Sequence, residues 1–139
     1  MELRWSHVGL NCRNPAVTED FYRTWFGFER ARAVPIGDDD QIVFLRRDGV
    51  YLELFTSTAR ALEGVENDGP QQPGVARHLA FQTDDLEAFL DRVGDEIPRS
   101  LGPLSFDDVI PGWRTVWFTD PDGVVVEVSE GYHDEPADA

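Results

Sequence analysis

The sequence predicts an α+β fold in which two βαβββ modules follow one another, and three observations support this prediction. The pattern Asp-Gly-Val-x-x-Glu occurs at residues 48–53 and again at residues 122–127, with the two glutamates 74 positions apart. The histidine-led segments at residues 7–10 and 78–81 lie 71 positions apart. Each half also shows the order strand, helix, three strands. Because segments that recur at a nearly constant offset are typical of duplicated supersecondary units, the chain is interpreted as a fused pair of modules.

The first module begins with a strand at residues 5–12, where apolar and polar residues alternate. Asn14 and Pro15 then favour the start of a helix, as its N-cap and its first-turn residue. Gly27 ends that helix at a position where a left-handed residue is common. The apolar face of the helix recurs every four residues, at Val17, Phe21 and Trp25. Three strands are predicted after it, at residues 28–34, 41–47 and 50–56, with a hairpin turn at Asp48-Gly49.

The second module repeats this order. A strand is predicted at residues 75–83, and Asp84 with Glu87 matches a capping box that begins a helix with an apolar face. Three further strands are predicted at residues 97–101, 113–119 and 124–129. The predicted boundaries are residues 1–58 for the first module, 59–74 for a linker, 75–132 for the second module and 133–139 for an acidic tail.

The composition excludes several classes of protein. With 139 residues and 41% hydrophobic residues, the chain suits one domain made of two small repeats that share a core. No apolar run approaches the ~20 residues of a membrane-spanning helix, and the charged first residues do not resemble a secretion signal. The single cysteine, Cys12, excludes an internal disulfide framework and a cysteine-rich zinc site, and we expect it to be a small buried hydrophobe. The predicted location is the cytoplasm.

The charge balance is strongly acidic. Asp and Glu total 27 against 12 basic residues, which gives a formal net charge of −15, and every basic residue is arginine. The absence of lysine excludes Schiff-base, pyridoxal-phosphate and P-loop chemistry that depends on lysine, and the acidity argues against nucleic-acid binding. Because molar salt shortens the Debye length to ~3 Å and so screens self-repulsion, we predict a halophilic cytosol. The alternative is an acidic protein of a mesophile with a GC-rich genome.

Four potential metal ligands fall on one face of the predicted strands. Since strand side chains alternate between two faces, His7, Glu53, His78 and Glu127 share one face while their strand neighbours on the other face are all apolar. A carboxylate between apolar neighbours costs several kcal/mol unless it is paired. Two imidazoles and two carboxylates balance a divalent cation such as zinc, nickel, cobalt, manganese or ferrous iron. Each residue alone suits a core or solvated position equally well; the duplicated set of four predicts a metal site.

The same alternation predicts the residues around this site. Val43, Leu45, Thr115 and Trp117 are expected to extend the ligand face. Four aromatic side chains are candidates for stacking on a small substrate, with barrel core as the alternative interpretation: Tyr51, Phe55, Trp113 and Trp117. Cys12, Arg77 and Arg114 are predicted to point to the opposite face.

Five segments that span nearly the whole chain carry a resemblance to a known family: residues 6–10, 21–29, 52–55, 77–81 and 120–127. In these segments the sequence resembles the vicinal oxygen chelate superfamily, which includes glyoxalase I, methylmalonyl-CoA epimerase, extradiol dioxygenases and bleomycin and fosfomycin resistance proteins. The resemblance implies that eight strands form an open barrel-like sheet around a divalent metal, with the helices outside. It also implies that the ligands come from the first and last strands of each module, where His7, Glu53, His78 and Glu127 stand.

The His-Glu-His-Glu set is similar to that of bacterial glyoxalase I, and this implies a metal-dependent lyase or isomerase that transfers a proton next to a carbonyl. In this hypothesis Glu127 is the general base, and Glu53 can exchange roles with it. The alternative is a non-catalytic binding or resistance protein. A ferrous extradiol dioxygenase fits less well because of Glu53 and the short chain, and epimerases commonly have glutamine at that position. The expected partners are a small-molecule substrate and a second copy of the chain in a homodimer.

Overall fold

The computed structural model describes residues 1–136, so residues 137–139 of the predicted acidic tail lie outside the described part. The chain divides into two compact units, residues 1–61 and residues 62–139. Unit 1 contains β1 (His7–Cys12), α1 (Pro15–Phe26), β2 (Glu29–Ile36), β3 (Asp40–Arg47) and β4 (Val50–Thr56). Unit 2 contains β5 (Leu79–Gln82), α2 (Leu86–Val93), β6 (Arg99–Ser105), β7 (Arg114–Thr119) and β8 (Val125–Glu130). The predicted α+β fold with two βαβββ modules is confirmed.

The two units have the same sheet topology. The strand order is β1-β4-β3-β2 in unit 1 and β5-β8-β7-β6 in unit 2. The first strand of each sheet is parallel to its neighbour, and the other pairs are antiparallel. The eight strands therefore form two four-stranded sheets, one in each unit, rather than one eight-stranded barrel-like sheet.

The first helix begins and ends where the sequence predicts. The Asn14 side chain accepts a hydrogen bond from the Ala16 amide at 3.1 Å, and Pro15 is the first residue of α1. Gly27 closes the helix with φ of 69°, a conformation that a residue without Cβ adopts at little cost. The buried aromatic residues of α1 include Phe21 and Phe26, and the helix packs against β4. This packing covers one face of the unit 1 sheet and leaves the other for the site described below.

Four predicted details of unit 2 are wrong. The N-cap of α2 is Asp85, whose carboxylate accepts from the Ala88 amide at 3.0 Å, instead of Asp84. Glu87 does not complete a capping box, because it accepts a hydrogen bond from Arg114 at 2.8 Å. The strand predicted at residues 75–83 is only β5, since residues 72–75 form a hydrogen-bonded turn. The strand predicted at residues 97–101 begins two residues later and extends to Ser105.

Neither helix among residues 1–136 is long and apolar enough to cross a membrane.

Candidate functional site

In unit 1, His7 and Glu53 lie together on the face of the sheet that α1 does not cover. The parallel register of β1 and β4 places His7 beside Tyr51 and Gly9 beside Glu53. His7 Nε2 and Glu53 Oε1 are 4.0 Å apart, with the side chains 40% and 16% exposed. The opposite face carries Leu52 and Leu54, which are buried. We call the face with the His–Glu pair the site face of the sheet.

Unit 2 contains the same arrangement. The register of β5 and β8 places Ala80 beside Glu127, and His78 stands two residues before Ala80, just as His7 stands two residues before Gly9. His78 Nε2 and Glu127 Oε1 are 3.8 Å apart, with the side chains 23% and 15% exposed. The structure therefore brings the predicted residues together as two pairs with one shared strand geometry.

The two histidines differ in the hydrogen-bond partner of Nδ1, the ring nitrogen remote from the glutamate. His78 Nδ1 lies 2.7 Å from the backbone carbonyl oxygen of Asp68. Because a carbonyl oxygen only accepts hydrogen bonds, Nδ1 carries the hydrogen, so in the neutral ring the lone pair lies on Nε2, on the side of Glu127. His7 Nδ1 lies 2.8 Å from Ser6 Oγ, and a hydroxyl can either donate or accept. Unit 2 thus presents a histidine in the tautomer that a metal ion needs at Nε2, whereas the tautomer in unit 1 is not fixed.

The segment that holds His78 is tightly built. Gly69 has φ of 113°, and a Cβ atom at this position would lie 1.7 Å from the carbonyl oxygen of Arg77. Arg77 donates to the Asp68 carboxylate at 2.6 Å, and this hydrogen bond lowers the pKa of Asp68 below its usual value. Ser100 Oγ donates to the Asn67 carbonyl at 2.7 Å. Part of the predicted linker at residues 59–74 therefore positions a site residue.

The expectation that Val43 and Leu45 line the site face is wrong. The register of β3 and β4 places Val43 opposite Leu54 and Leu45 opposite Leu52, and all four side chains are buried on the covered face. The two-residue turn at Asp48-Gly49 sets this register. This turn can be recognised in the sequence. The register that follows from it places Phe44 and Arg46, rather than Val43 and Leu45, on the site face.

Phe44 is the aromatic residue on the site face of β3 that the sequence analysis missed. It lies opposite Glu53, and its ring meets the His7 ring edge-on with a centroid distance of 6.2 Å. Tyr51 shares this face, and the Phe55 ring lies against Gly9, where an added Cβ would be 3.3 Å from the ring. The absence of a side chain at position 9 therefore leaves room for Phe55 beside the pair.

In unit 2, Trp117 lies opposite Glu127 and Thr115 lies opposite Ser129, so their predicted place on the site face is confirmed. Trp113 packs instead in an aromatic cluster, with ring centroids 5.0 Å from Phe106 and 5.9 Å from Tyr132. The indole N–H groups of Trp113 and Trp117 are buried, and neither finds a hydrogen-bond partner within residues 1–136.

The residues predicted to point away from the site have structural roles. Cys12 is fully buried, as expected, with its sulfur 3.7 Å from the Leu10 carbonyl oxygen. Arg114 pairs with Glu87 at 2.8 Å and with Glu130 at 3.3 Å. These contacts stabilise the fold rather than contribute to chemistry at the site.

The donor chemistry of each pair suits a divalent metal ion. A zinc-type ion holds imidazole nitrogen and carboxylate oxygen at about 2.0–2.2 Å in tetrahedral geometry, so two adjacent donors lie roughly 3.3–3.6 Å apart. The observed separations of 4.0 Å and 3.8 Å need only a small side-chain rotation to reach that range. Across residues 1–136, no group of three or more His, Cys, Asp or Glu side chains is close enough to hold a metal ion. Each pair is thus suited to two coordination positions, and the four-residue ligand set remains a prediction.

Comparison with solved structures gives a consistent fold. A glyoxalase family protein from Enterococcus faecalis shares 28% identity and a TM-score of 0.73, covering 91% of this chain and 97% of that one. The fosfomycin resistance protein FosX from Listeria monocytogenes, solved with Mn(II) and sulfate, shares 18% identity, a TM-score of 0.67 and 95% coverage of both chains. TnmS3, an antibiotic binding protein from a Streptomyces species, shares 19% identity and a TM-score of 0.67, covering 95% of this chain and 99% of that one. The latter two similarities show the fold alone.

No curated protein matches the chain. The model of the Glyoxalase/Bleomycin resistance protein/Dioxygenase superfamily, however, matches residues 4–128, which include all four predicted ligands and most of both modules. The resemblance seen in the sequence motifs is therefore confirmed, and the chain belongs to this superfamily.

Proposed function

We propose that the protein is a divalent-metal-dependent lyase or isomerase similar to glyoxalase I. His7, Glu53, His78 and Glu127 are the proposed ligands, and two His–Glu pairs, from one chain or from two chains of a homodimer, complete one ligand set. The observation that carries the proposal is the duplicated pair: the same strand register produces an imidazole nitrogen within 4.0 Å of a carboxylate oxygen in each unit. The fixed tautomer of His78 supports it, since a metal ligand needs its lone pair at Nε2.

Imidazole and carboxylate donors together suit nickel, zinc, cobalt, manganese or ferrous iron. Such an ion, when bound, would supply Lewis-acid stabilisation of negative charge on the oxygens of a small substrate with a carbonyl group.

The chain supplies the proton transfer. Glu127 removes the proton from the carbon next to the substrate carbonyl and returns it to the neighbouring carbon, so the net reaction is an isomerisation without an added oxidant or reductant. Its carboxylate is only 15% exposed, and Trp117 stands opposite it on the next strand with a buried, unpartnered indole N–H. Glu53 is the equivalent residue in unit 1 and can exchange roles with Glu127. His7 and His78 are the proposed nitrogen ligands that would hold the ion.

The second candidate function is a binding protein that sequesters a small molecule without converting it. Two observations favour it: the unpartnered indole donors of Trp113 and Trp117, and the fold shared with an antibiotic binding protein. Aromatic side chains around the pair in unit 1, Phe44, Tyr51 and Phe55, suit stacking on such a ligand. A ferrous dioxygenase is the third candidate, and Glu53 argues against it because it occupies a position that oxygen chemistry needs open.

The proposed setting is a salt-rich cytoplasm. A net charge of −15 produces strong self-repulsion in dilute buffer, and molar salt screens it.

The test compares Glu127→Gln with Glu130→Gln in protein purified without chelators or a metal-affinity tag. Elemental analysis is expected to find about one divalent ion per chain, the stoichiometry that four ligands per ion imply. With methylglyoxal and a low-molecular-weight thiol as substrates, Glu127→Gln is expected to abolish thioester formation while much of the metal stays bound. Glu130→Gln is the matched control, because Glu130 lies on the same strand but pairs with Arg114.

Three results test these assignments. Full activity in Glu127→Gln contradicts the role of this residue as general base. Tight binding of a small molecule by metal-loaded protein that shows no turnover favours the binding protein, and a protein free of divalent metal contradicts the metal centre itself.

A further inference from the structure

Two arginines lie on the site face of unit 1, beside the His–Glu pair. Across the sheet, one row of neighbouring residues contains His7, Tyr51 and Arg46, on β1, β4 and β3. The next row contains Glu53 on β4, then Phe44 and Arg32 on β3 and β2. In each row, an arginine therefore lies two strands from a member of the pair, and an aromatic residue lies on the strand between. Tyr51 separates His7 from Arg46, and Phe44 separates Glu53 from Arg32.

A β-bulge creates this placement. In a regular strand, residues 30 and 32 would point to the same face, because side chains alternate with a period of two. The register of β2 against β3 shifts between Arg30 and Arg32, so that Arg30 lies opposite Leu45 on the covered face and Arg32 lies opposite Phe44 on the site face. Bulges commonly redirect a side chain next to a functional site.

The four arginines of β2 and β3 differ in their partners according to the face on which they lie. On the covered face, Arg30 forms an ion pair with Glu19 of α1 at 2.5 Å, and Arg47 donates to the Phe26 carbonyl at the end of α1. On the site face, Arg32 and Arg46 are exposed, and their side chains make no hydrogen bond or ion pair with the described residues. Arg46 lies opposite Glu29 in the register, yet no ion pair joins them.

Unpartnered guanidinium groups are unexpected in this chain. Acidic residues outnumber arginines by 27 to 12, so carboxylates are abundant and arginines are scarce. Guanidinium groups form strong, often bidentate hydrogen bonds with carboxylates and phosphates, and this favours them wherever an anion is bound. Two arginines that face the His–Glu pair and lack an internal partner are suited to an anion from outside the chain.

We propose that Arg32 and Arg46 bind an anionic group of the substrate, so that the molecule carries a carboxylate, phosphonate or phosphate at the end remote from its carbonyl. The proposal rests on the proposed function for the other end of the molecule. Neighbouring strands lie about 4.8 Å apart, so each arginine backbone stands roughly 10 Å from its row partner in the His–Glu pair, and Tyr51 and Phe44 lie between them. The substrate is therefore a short, acidic oxo compound that lies across these two aromatic rings.

The test uses two probes with the same six-carbon chain, 2-oxoadipate and 2-oxohexanoate, of which only the first has a carboxylate at the far end. Calorimetry with and without Mn(II) measures their affinities for the wild-type protein at low salt. We expect 2-oxoadipate to bind at least about tenfold more tightly, since charge-assisted hydrogen bonds are among the strong ones. Arg32→Gln with Arg46→Gln is expected to remove that preference and leave the affinity for 2-oxohexanoate unchanged.

Arg23→Gln provides the matched control, because Arg23 is an exposed arginine of α1, on the covered side of the sheet. It is expected to keep the full preference for 2-oxoadipate. Equal affinity of the two probes for wild-type protein, or a preference that survives in the double variant, overturns the inference. The proposed function fails separately, by the absence of Mn(II) uptake in the same titrations. In that event the ratio of the two affinities in metal-free protein still decides whether the arginine pair binds an anion.

Discussion

The two units carry the same His–Glu geometry but very different charge. Unit 1 has eight arginines against nine acidic residues, a formal net charge of −1, whereas unit 2 has four arginines against 18 acidic residues, a formal net charge of −14. Almost all the acidity that suggests a salt-rich cytoplasm therefore belongs to one half of a duplicated chain. Duplication explains the shared pairs, whereas the net charge of the two copies has diverged.

The site faces show the same divergence, position by position. In the sheet registers, Arg32 of unit 1 corresponds to Leu101 of unit 2, and Arg46 corresponds to Thr119. The aromatic residue opposite the glutamate is a phenylalanine in unit 1, Phe44, and a tryptophan in unit 2. The proposed ligands were retained while their neighbours changed. In the proposed function, unit 1 contributes charged groups for a substrate, and unit 2 contributes a histidine in a fixed orientation beside Glu127.

The largest expected effect comes from breaking either pair. We expect His78→Ala and His7→Ala each to weaken Mn(II) binding by more than the ~10–100-fold that the loss of an outer hydrogen-bond partner costs. His78→Ala should have the greater effect, because the hydrogen bond from Nδ1 to the Asp68 carbonyl already fixes the tautomer that the ion needs. Titration of Mn(II) followed by calorimetry measures both variants.

His133→Ala is the control, because its ring lies 3.3 Å from the Gly131 carbonyl and away from both pairs. Unchanged Mn(II) affinity in His7→Ala, combined with a loss in His78→Ala, would mean that only unit 2 contributes to the metal centre.

A smaller effect is expected when a histidine is kept and its support is removed. Gly69→Ala places a Cβ 1.7 Å from the Arg77 carbonyl, which must displace the segment that carries the Asp68 carbonyl. We expect Mn(II) affinity to fall about tenfold, the lower end of the range for loss of an outer partner. Ser6→Ala removes the corresponding contact of His7 and should change the affinity less, because that hydroxyl does not fix the tautomer.

Asp68→Asn tests whether His78 is supported by the position of the Asp68 carbonyl or by the charge of the Asp68 carboxylate. It removes the ion pair of the Asp68 carboxylate with Arg77 but retains the backbone carbonyl that accepts from His78. We expect it to bind Mn(II) like the wild-type protein. A loss as large as that of Gly69→Ala would show that the charge of Asp68, and not the position of its carbonyl, supports His78.

The parts of the molecule that could be predicted from sequence are those set by local pattern. The duplicated motifs, the Asn14 and Gly27 ends of α1 and the alternation around Glu53 and Glu127 all depend on residues that are neighbours in the chain. Errors arose where the answer depends on pairing between strands. The faces of Val43 and Leu45 depend on the register across a turn, and the face of Arg32 depends on a bulge that leaves no local signal in the sequence.

The segment around Asp68 shows a second limit. Residues 59–74 are rich in glycine, proline and polar residues, a composition typical of a linker. Their contact with His78 depends on a positive φ at Gly69 and on the Ser100 hydroxyl, 33 positions from the Asn67 carbonyl that accepts from it. Composition describes the average behaviour of such a segment, whereas its role at the site depends on one backbone carbonyl.

A small effect on stability is expected from making unit 2 resemble unit 1 at the residue opposite the glutamate. Trp117→Phe introduces the residue type of Phe44 and removes a buried indole N–H that has no partner within the described residues. Loss of ring volume destabilises a core by a few kcal/mol at most, whereas removal of an unsatisfied buried donor recovers about 1–3 kcal/mol. Because these terms oppose each other, we expect the melting temperature to change by only a few degrees.

Trp113→Phe is the matched control, because it removes the other unpartnered indole N–H, which lies away from Glu127. If the Trp117 N–H serves the substrate, only Trp117→Phe weakens the binding of 2-oxohexanoate to Mn(II)-loaded protein, and equal weakening in both variants would assign the effect to packing.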